Sequence, residues 1–318
     1  MVKRCNLMNH FISCDWGTSR FRLRLIECDQ QRIVTEHASD QGIQILATAH
    51  PSIDSRREIM GNVLSSGIAA LGVGEQTDIP VVISGMASST LGWQSLPYAA
   101  LPAPIDGSTL LFSDFHHSGR KVRLISGLRG DRDIMRGEET ELIGLFASSA
   151  RRQLAENSLV VMPGTHSKHV HLRDGKIVEF TTYLTGELYA LLSQGSTLNT
   201  SESDETIFDQ TAFLAGLQSS RSRGLSAALF QTRALTVLGH LAAKHSRSFL
   251  SGTLIGAEIA ALAGASADQI VLAASGQLAG QYVLALGELL PKTVVVQIPA
   301  PELAAAIVAG HARILYCP

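Results

Sequence analysis

Residues 11–25 read Phe11-Ile12-Ser13-Cys14-Asp15-Trp16-Gly17-Thr18-Ser19-Arg20-Phe21-Arg22-Leu23-Arg24-Leu25, which predicts a strand, a tight turn and a second strand. Such a β-hairpin can offer a carboxylate, hydroxyls and backbone N–H groups to a phosphate and its metal ion. Asp15 is a candidate ligand of Mg²⁺, which keeps several waters and takes few protein carboxylates. Gly17 lets the backbone approach a ligand closely, and Thr18 and Ser19 can donate to phosphate oxygens. The alternative is an ordinary acidic turn, because short motifs are only hypotheses.

The composition allows a large core and carries no dominant charge. The 318 residues are 45% hydrophobic and 17% charged, with a formal net charge of −2. A soft prior of about 150 residues per domain suggests two domains. The charge gives no general attraction to nucleic acid or to an anionic membrane. No uninterrupted apolar run of about 18 residues predicts a membrane span, so we expect a protein that binds neither partner.

The cysteines point to a reducing compartment. Four are present without paired spacing, at Cys5, Cys14, Cys28 and Cys317. This pattern predicts neither a zinc site nor a disulfide framework. Because the apolar core of a signal peptide is also absent from the start of the sequence, we expect a cytoplasmic protein.

The order of predicted elements suggests two α/β domains of similar plan. Strand–helix alternation follows three short strands, which are predicted over residues 11–15, 21–28 and 32–38. The same order of strands followed by strand–helix alternation recurs after residue 158, where Asp174-Gly175 predicts a hairpin turn. Two Gly-Thr turns, Gly17-Thr18 and Gly164-Thr165, would then occupy equivalent positions in the two halves.

Two further segments offer groups that bind phosphate or nucleotide. Thr165, His166 and Lys168 form a second cluster of hydroxyl and cationic groups, although Lys168 could equally be a solvated lysine. Ser275-Gly276 opens a helix after a strand, and a nucleotide can lie on bare backbone beside a helix N-terminus. The Ser275-Gly276 signal is weak alone, because many strand–helix turns contain glycine.

Residues 127–141 form a charged segment that leads into the first turn of an apolar helix. Glu138 and Glu139 stand at the predicted start of the helix, where the helix dipole favours ionised carboxylates. A positioned carboxylate is a typical general base for a sugar hydroxyl. The alternative is capping, because acidic residues are common in a first helical turn for stability alone.

Six motifs follow in order over nearly the whole chain. They are Asp15-Trp16-Gly17-Thr18-Ser19, Ser84-Gly85-Met86-Ala87-Ser88-Ser89, Met135-Arg136-Gly137-Glu138-Glu139-Thr140, Met162-Pro163-Gly164-Thr165-His166, Leu184-Thr185-Gly186-Glu187-Leu188 and Gly252-Thr253-Leu254-Ile255-Gly256-Ala257-Glu258. Together they resemble the motifs of the 2-dehydro-3-deoxygalactonokinases. The resemblance implies ATP-dependent phosphorylation of 2-dehydro-3-deoxy-D-galactonate to its 6-phosphate, in D-galactonate catabolism.

The resemblance also implies an architecture and cofactors. The fold would be α/β, with two ribonuclease H-like domains of the sugar kinase, heat-shock chaperone and actin superfamily and a nucleotide cleft between them. Residues 1–128 would bind sugar acid and phosphate, residues 129–300 would bind the nucleotide, and a final helix over about 301–318 would pack back on the first domain. The implied cofactors are ATP and Mg²⁺, with Gly252 among the nucleotide contacts.

The resemblance favours one carboxylate as the catalytic base. Related carbohydrate kinases place the base in a Gly-Asp motif that opens a helix before the second Gly-Thr turn. Gly137-Glu138 occupies that place, with Glu instead of Asp, so Glu138 is the implied base. Asp131 is a rival that could instead bind substrate hydroxyls, and Glu139 is a third candidate.

The substrate contacts are expected after the strand that ends near residue 85. Gly85, Met86 and Ser88 would face the sugar acid, and Trp93 either walls the pocket or belongs to the core. The substrate carboxylate would be held bidentately by an arginine, with Arg136 as our candidate beside Arg129 and Arg132.

Two alternative functions stay open from the sequence. One is a kinase for another sugar acid, such as 2-dehydro-3-deoxygluconate, because one inverted hydroxyl is decided by pocket geometry. The other is a nucleotide-binding protein of the same superfamily without kinase activity. The Ala- and Leu-rich helices of residues 225–264 face either the core or a second copy, which would give a homodimer.

Overall fold

The computed structural model describes residues 9–198, 207–264 and 267–316. The chain forms two compact units, of which unit 1 contains Met1–Glu156, Leu172–Glu179 and Pro301–Pro318, and unit 2 contains Asn157–His171 and Phe180–Ala300. The boundary expected between residues 128 and 129 therefore lies inside unit 1. Cys5 and Cys317 lie outside the described residues.

Unit 1 is built on a mixed sheet of six strands, beside which β10, β9 and β5 form a small three-stranded sheet. The described strands of unit 1 are β1 (His10–Trp16), β2 (Phe21–Glu27), β3 (Arg32–Ser39), β4 (Val81–Gly85), β5 (Ala99–Ala100), β6 (Ala103–Pro104), β7 (Phe112–His117), β8 (Arg120–Ile125), β9 (Leu128–Arg129) and β10 (Ile134–Met135). The main sheet has the order β3-β2-β1-β4-β8-β7. Strands β1, β2 and β3 pair antiparallel, whereas β4 runs parallel to both β1 and β8.

The strand register gathers polar side chains on one face of this sheet. Asp15 pairs with Arg22, and Ser13 pairs with Arg24. Asp15 also pairs with Ser84 on the parallel strand β4. Since residues paired across neighbouring strands point to the same face, these side chains share one side of the sheet. The opposite face is apolar and packs against the second helix of the chain.

Helices cover both faces of the unit 1 sheet. They are α1 (Ile43–Ala49), α2 (Ile53–Ala70), α3 (Glu138–Leu145) and α4 (Ser149–Arg152), and the last helix of the chain also belongs to unit 1. The core under α2 contains large buried side chains, including Trp16, Phe21, Leu23 and Met60. Helix α2 begins at the N-cap Ser52, whose hydroxyl accepts a hydrogen bond from the Ser55 N–H.

Unit 2 repeats the sheet order of unit 1. Its elements are β11 (Asn157–Met162), β12 (Ser167–Arg173), β13 (Lys176–Tyr183), α5 (Thr185–Gly195), α6 (Gln210–Arg223), α7 (Leu225–Val237), α8 (Ser246–Ala260), β14 (Gln269–Leu272), α9 (Gly276–Leu289) and β15 (Val294–Gln297). The sheet runs β15-β14-β11-β12-β13-β6, and its first five strands match β8-β4-β1-β2-β3. The tip of the β12–β13 hairpin, Leu172–Glu179, belongs to unit 1, as does β6. The helix α10 (Ala300–Tyr316) then returns the chain to unit 1.

Two sheets with this shared order confirm the α/β, actin-like ATPase fold that the sequence predicted. The Asp174-Gly175 turn is also confirmed, since both residues have the positive φ of a two-residue hairpin turn, 49° and 67°. That hairpin tip belongs to unit 1, where Lys176 pairs with Pro104. No described helix is long and apolar enough to cross a membrane.

Candidate active site

Unit 1 contains a charged cavity of about 330 Å³ at the end of its sheet. We call it the unit 1 cavity. Six charged residues line it, namely Asp15, Arg22, Arg24, Arg136, Glu138 and Glu141. The rest of the lining consists of small or apolar residues, which are Gly17, Gly85, Gly137, Leu303, Ala304 and Ile307. The β1 hairpin, the end of β4, the start of α3 and the first turns of α10 thus meet at one polar site.

The hairpin turn is held by backbone hydrogen bonds. The Gly17 N–H donates to the Arg20 oxygen at 2.9 Å, and the Thr18 oxygen accepts from the Gln44 N–H of α1 at 3.0 Å. Gly17 lines the cavity, while Thr18 and Ser19 are exposed beside it. The turn is therefore braced by α1, and its two hydroxyl residues face solvent.

Asp15 lies half-buried on the cavity wall. Burial raises the pKa of its carboxyl, and the nearby Glu138 raises that pKa further, while Arg22 and Arg24 oppose the shift. The two arginines therefore do not cancel the cost of burying the Asp15 carboxylate, and a bound cation would lower that cost further. Among the described residues, no group of three His, Cys, Asp or Glu side chains forms a ready-made metal centre.

Two glycines bring the start of α3 against the end of β4. Gly85 has a φ of 91°, and a Cβ there would lie 2.6 Å from the Trp16 oxygen. Gly137 has a φ of 113°, and a Cβ there would contact the Gly85 Cα at 3.4 Å. Both conformations favour glycine over any other residue. This contact places the first turn of α3 beside Asp15.

The three glutamates of that first turn have different surroundings. Glu139 is fully buried, accepts hydrogen bonds from the Gly137 N–H at 2.7 Å and the Thr140 hydroxyl at 3.0 Å, and does not line the cavity. Glu138 lines the cavity and accepts from the Arg136 N–H at 3.0 Å. Glu141 also lines it, and burial together with Asp15 and Glu138 raises its pKa to about 7. Glu139 thus has the geometry of a cap, which was its alternative interpretation.

The three arginines of the cavity differ in how far they are already bound. Arg24 is buried and pairs with Glu36 at 2.6 Å. Arg136 donates to the Ser88 hydroxyl at 2.5 Å and lies over the Tyr98 ring. The Arg22 side chain makes no hydrogen bond or ion pair with another described residue, although its charge lowers the pKa of Asp15, the residue opposite it in the hairpin. Its guanidinium is consequently available to an anion in the cavity.

The other predicted substrate residues surround the cavity or lie away from it. Met86 packs against the core of unit 1, and Ser88 is buried with its hydroxyl bound by Arg136. Trp93 packs edge-on against Trp16 at 6.3 Å and against two further rings, and it does not line the cavity. Asp131 is exposed and also absent from the lining.

Behind Asp15, a buried histidine joins α10 to the sheet. His311 is fully buried, with Nδ1 2.8 Å from the Ser13 hydroxyl and Nε2 2.9 Å from the Ser84 hydroxyl. Burial and the Arg24 charge lower its pKa to about 3. A neutral imidazole therefore fixes α10 on the strands that carry Asp15 and its neighbour Ser84.

Unit 2 contains a larger cavity of about 540 Å³, which we call the unit 2 cavity. Its lining comes from the second Gly-Thr turn and the helices α5, α8 and α9, and comprises Gly164, Thr165, Thr185, Gly186, Tyr189, Ser251, Leu254, Ile255, Gln277, Leu278, Gln281 and Tyr282. None of these side chains is charged. Amides, hydroxyls, aromatic rings and aliphatic groups of this kind suit a small organic molecule with a flat apolar part.

The remaining predicted nucleotide residues have mixed placements. His166 lies 2.5 Å from the Glu187 carboxylate, and the buried Lys168 donates to the His166 oxygen at 2.9 Å. Ser275 and Gly276 start α9, directly before the lining residue Gln277. Gly252 lies in the contact of α8 with α6, where a Cβ would clash with the Phe213 oxygen. Helix packing thus accounts for the glycine at position 252.

Sequence reasoning missed part of both linings. The sequence places Arg22 only in the alternating pattern of a strand, although the hairpin register pairs it with Asp15. Counting across the turn would have found it, since paired residues share a face. Leu303, Ala304 and Ile307 reach the unit 1 cavity from the far end of the chain, and no local signal marks them. Gln277 and Gln281 follow the predicted Ser275-Gly276 and could have been included as one helical face.

Comparisons with known proteins agree along almost the whole chain. The model of a family described as 2-keto-3-deoxy-galactonokinase matches residues 15–312. A protein of Rhizobium meliloti (strain 1021) named a probable 2-dehydro-3-deoxygalactonokinase is 35% identical over 287 residues, which are 87% of this chain and 89% of that protein. The 2-dehydro-3-deoxygalactonokinase of Escherichia coli (strain K12) is 34% identical over 284 residues, 86% of this chain and 87% of the relative.

A crystal structure described as that of a putative 2-dehydro-3-deoxygalactonokinase from Sinorhizobium meliloti is also similar. It has a TM-score of 0.80 and 32% identity, and the match covers 97% of each chain. The likeness therefore includes both units and the order of their elements.

Proposed function

The chain belongs to the 2-keto-3-deoxy-galactonokinase family, and on this premise we propose that it transfers the γ-phosphoryl group of ATP to the 6-hydroxyl of 2-dehydro-3-deoxy-D-galactonate. The observation that carries the proposal in the structure is the unit 1 cavity, where three carboxylates and three arginines surround one polar space. A phosphoryl-transfer site needs such groups because it works by positioning and charge neutralisation.

We assign the sugar acid and the phosphate chemistry to the unit 1 cavity. The acid has a carboxylate and several hydroxyls, which match arginine donors and carboxylate acceptors. Arg22 has donors available for an anion, whereas Arg136 is fixed by Ser88 and Tyr98 and presents a defined guanidinium face. Gly85, beside Asp15, lets the ligand approach backbone at the end of β4.

We assign the adenosine part of ATP to the unit 2 cavity. Its neutral lining can stack a base against aliphatic and aromatic side chains and hydrogen-bond it through Gln277 or Gln281. Gly164-Thr165 and the start of α9 supply backbone N–H groups of the kind that bind phosphates. His166, Lys168, Ser275 and Gly276 stay proposed contacts near this cavity.

Glu138 is the proposed general base. Its carboxylate would accept the proton of the 6-hydroxyl while that oxygen bonds to the γ-phosphorus, and the bond from the γ-phosphorus to the bridging oxygen breaks to release ADP. Glu138 faces the cavity, whereas Glu139 is used as a cap and Asp131 is exposed. These placements support Glu138 over its two rivals.

Mg²⁺ fits the donor set of the unit 1 cavity. Asp15 would hold it directly or through water, because Mg²⁺ takes only one or two protein carboxylates and keeps several waters. When bound with ATP, the ion neutralises phosphate charge. A homodimer and a cytoplasmic location stay predictions from the sequence.

Release of ADP from the full chain tests the proposal. The assay compares ATP alone with ATP plus 2-dehydro-3-deoxygalactonate, and with ATP plus the gluconate epimer. We expect ADP release to depend on the galactonate-derived acid, with ³¹P NMR showing a phosphomonoester at C6. Equal ADP release with and without a sugar acid would contradict the proposal and favour a nucleotide-binding protein without kinase activity. Faster turnover of the epimer would replace the proposed substrate.

A further inference from the structure

A carboxylate whose described partners are a histidine and hydroxyl groups is buried beneath the unit 2 cavity. Glu258, on α8, is 2% exposed. Within the described ranges its nitrogen partner is the imidazole of His169, whose Nε2 lies 2.9 Å from Oε1. No Lys or Arg in that part of the chain pairs with Glu258. Burying a carboxylate is costly unless hydrogen bonds replace its water.

Hydroxyl groups from two further elements complete its hydrogen bonds. The hydroxyls of Thr185, the first residue of α5, and Tyr282, on α9, both donate to Oε2, the latter at 2.8 Å. The Ser167 hydroxyl lies 3.1 Å from the Tyr282 oxygen. Burial and the Glu258 charge raise the pKa of Tyr282, so the phenol keeps its proton and donates at physiological pH.

Stability alone is a poor reason for this arrangement. Replacing a buried charged group by apolar residues of similar volume is often neutral or stabilising, so a buried ion pair is weak evidence for a stabilising role. What a hydrogen-bonded buried polar network does provide is a single orientation for its members. In this group of described residues Glu258 has three partners, whereas the buried Nδ1 of His169 has none. Here β12, α5 and α9 are all fixed to one carboxylate on α8.

Two of the groups that Glu258 orients are walls of the unit 2 cavity. Thr185 and Tyr282 both belong to its lining. The first turn of α5 is held on its other side by the Gly-Thr turn, because the Glu187 N–H donates to the Thr165 oxygen at 2.9 Å. The mutual position of α5, α9 and the second Gly-Thr turn therefore depends on Glu258.

We propose that Glu258 is a positioning residue for nucleotide binding, acting through Thr185 and Tyr282 on the shape of the unit 2 cavity. This inference rests on the proposed binding of ATP there. Glu258 does not line that cavity and acts on the nucleotide only through its partners. Its loss should weaken ATP binding and leave recognition of the sugar acid in unit 1 unchanged.

The test compares Glu258→Gln with wild type and with Glu288→Gln in the full chain. Glu288 is an exposed α9 glutamate that accepts a hydrogen bond from Gln218 at 2.7 Å. The amide that E258Q introduces retains the shape of the carboxylate but turns an NH₂ group toward hydroxyl or imidazole donors. Calorimetry measures binding of β,γ-imido-ATP with Mg²⁺, and steady-state kinetics gives separate KM values for ATP and the sugar acid.

We expect E258Q to bind the analogue about tenfold more weakly or worse, as for a lost hydrogen bond to a charged group. KM for ATP should rise with it, while KM for the sugar acid stays within about twofold and E288Q behaves as wild type. Unchanged analogue affinity in folded E258Q overturns the inference. A parallel rise of both KM values also overturns it, because a general structural defect would do this.

A second variant keeps the inference testable if E258Q does not fold. Tyr282→Phe alters one partner conservatively, because a phenylalanine leaves Oε2 with one donor fewer. We expect Y282F to weaken analogue binding, whereas E288Q, outside the cavity lining, retains it. Equal affinity of Y282F and wild type contradicts the inference. Failure of wild type itself to bind the analogue would instead contradict the proposed function.

Discussion

The cavities of the two units differ most in charge. The unit 1 cavity has six charged lining residues, whereas the larger unit 2 cavity has none among its described lining residues. Both lie where a Gly-Thr turn follows the first strand of an equivalent sheet. The shared topology thus places a site at the same point of each unit, and the side chains decide its chemistry. One site suits proton and phosphate chemistry, and the other suits a neutral heterocycle.

The largest effect expected from this contrast comes from Glu138→Gln. Removing a general base lowers the rate by about 10²- to 10⁴-fold, so kcat should fall by that factor while β,γ-imido-ATP binds with unchanged affinity. Steady-state kinetics and calorimetry measure the two quantities. Glu58→Gln, at an exposed position of α2, is the matched control and should keep full activity. An unchanged kcat in E138Q would remove Glu138 from the role of base.

A smaller effect is expected from Arg22→Gln. Charge-assisted hydrogen bonds are worth about 1.5–3 kcal/mol, so kcat/KM should fall about 10- to 100-fold if Arg22 binds an anion in the unit 1 cavity. Arg20→Gln is the matched control, because Arg20 is exposed and does not line the cavity. Its Nε lies 4.0 Å from Oδ1 of the exposed Asp40. Equal losses in the two variants would show that general positive charge matters rather than the position of Arg22.

The smallest effect is a pH dependence of the free energy of unfolding, and it comes from His311, which holds α10 against the strands behind the unit 1 cavity. The pKa of His311 is lowered to about 3 in the folded chain, whereas a histidine in the unfolded chain has a pKa of about 6.5. Below pH 6.5 the unfolded chain therefore binds a proton at this residue that the folded chain does not bind, and the free energy of unfolding falls. Between pH 7 and pH 5 this residue alone should lower the free energy of unfolding by about 2 kcal/mol.

Urea unfolding followed by tryptophan fluorescence measures this loss, because both tryptophans, Trp16 and Trp93, lie in unit 1. His311→Gln should lack the His311 part of the pH dependence, and the exposed control His116→Gln should retain it. The same slope in wild type and H311Q would contradict a neutral, buried His311.

The sequence predicted the fold better than the site. The alternating pattern of β2 and the Asp174-Gly175 turn are local features, and both have the predicted form in the structure. Helix α3 begins at Glu138, where its start was predicted, and ends at Leu145, with a separate short helix following. Helix α1 was not predicted, because its seven residues are too few for a clear period.

The site depends on contacts between distant segments, which no local pattern contains. His311 meets Ser13 across 298 residues, and Glu258 meets His169 across 89. The sequence could name Glu138 and Glu139 together, but only burial separates the cap from the carboxylate that faces the cavity. Gly252 was named as a nucleotide contact, but the contact between α8 and α6 already requires a glycine there. In a sequence, a glycine required by helix packing looks the same as one required by a ligand.

Hydrogen–deuterium exchange of the full chain tests the division between the two cavities most directly. We predict that β,γ-imido-ATP with Mg²⁺ protects backbone amides in residues 185–189 and 277–282, at the unit 2 cavity. The sugar acid alone should protect residues 85–88 and 136–141, at the unit 1 cavity. Protection of residues 277–282 by the sugar acid, with none from the ATP analogue, would contradict the account.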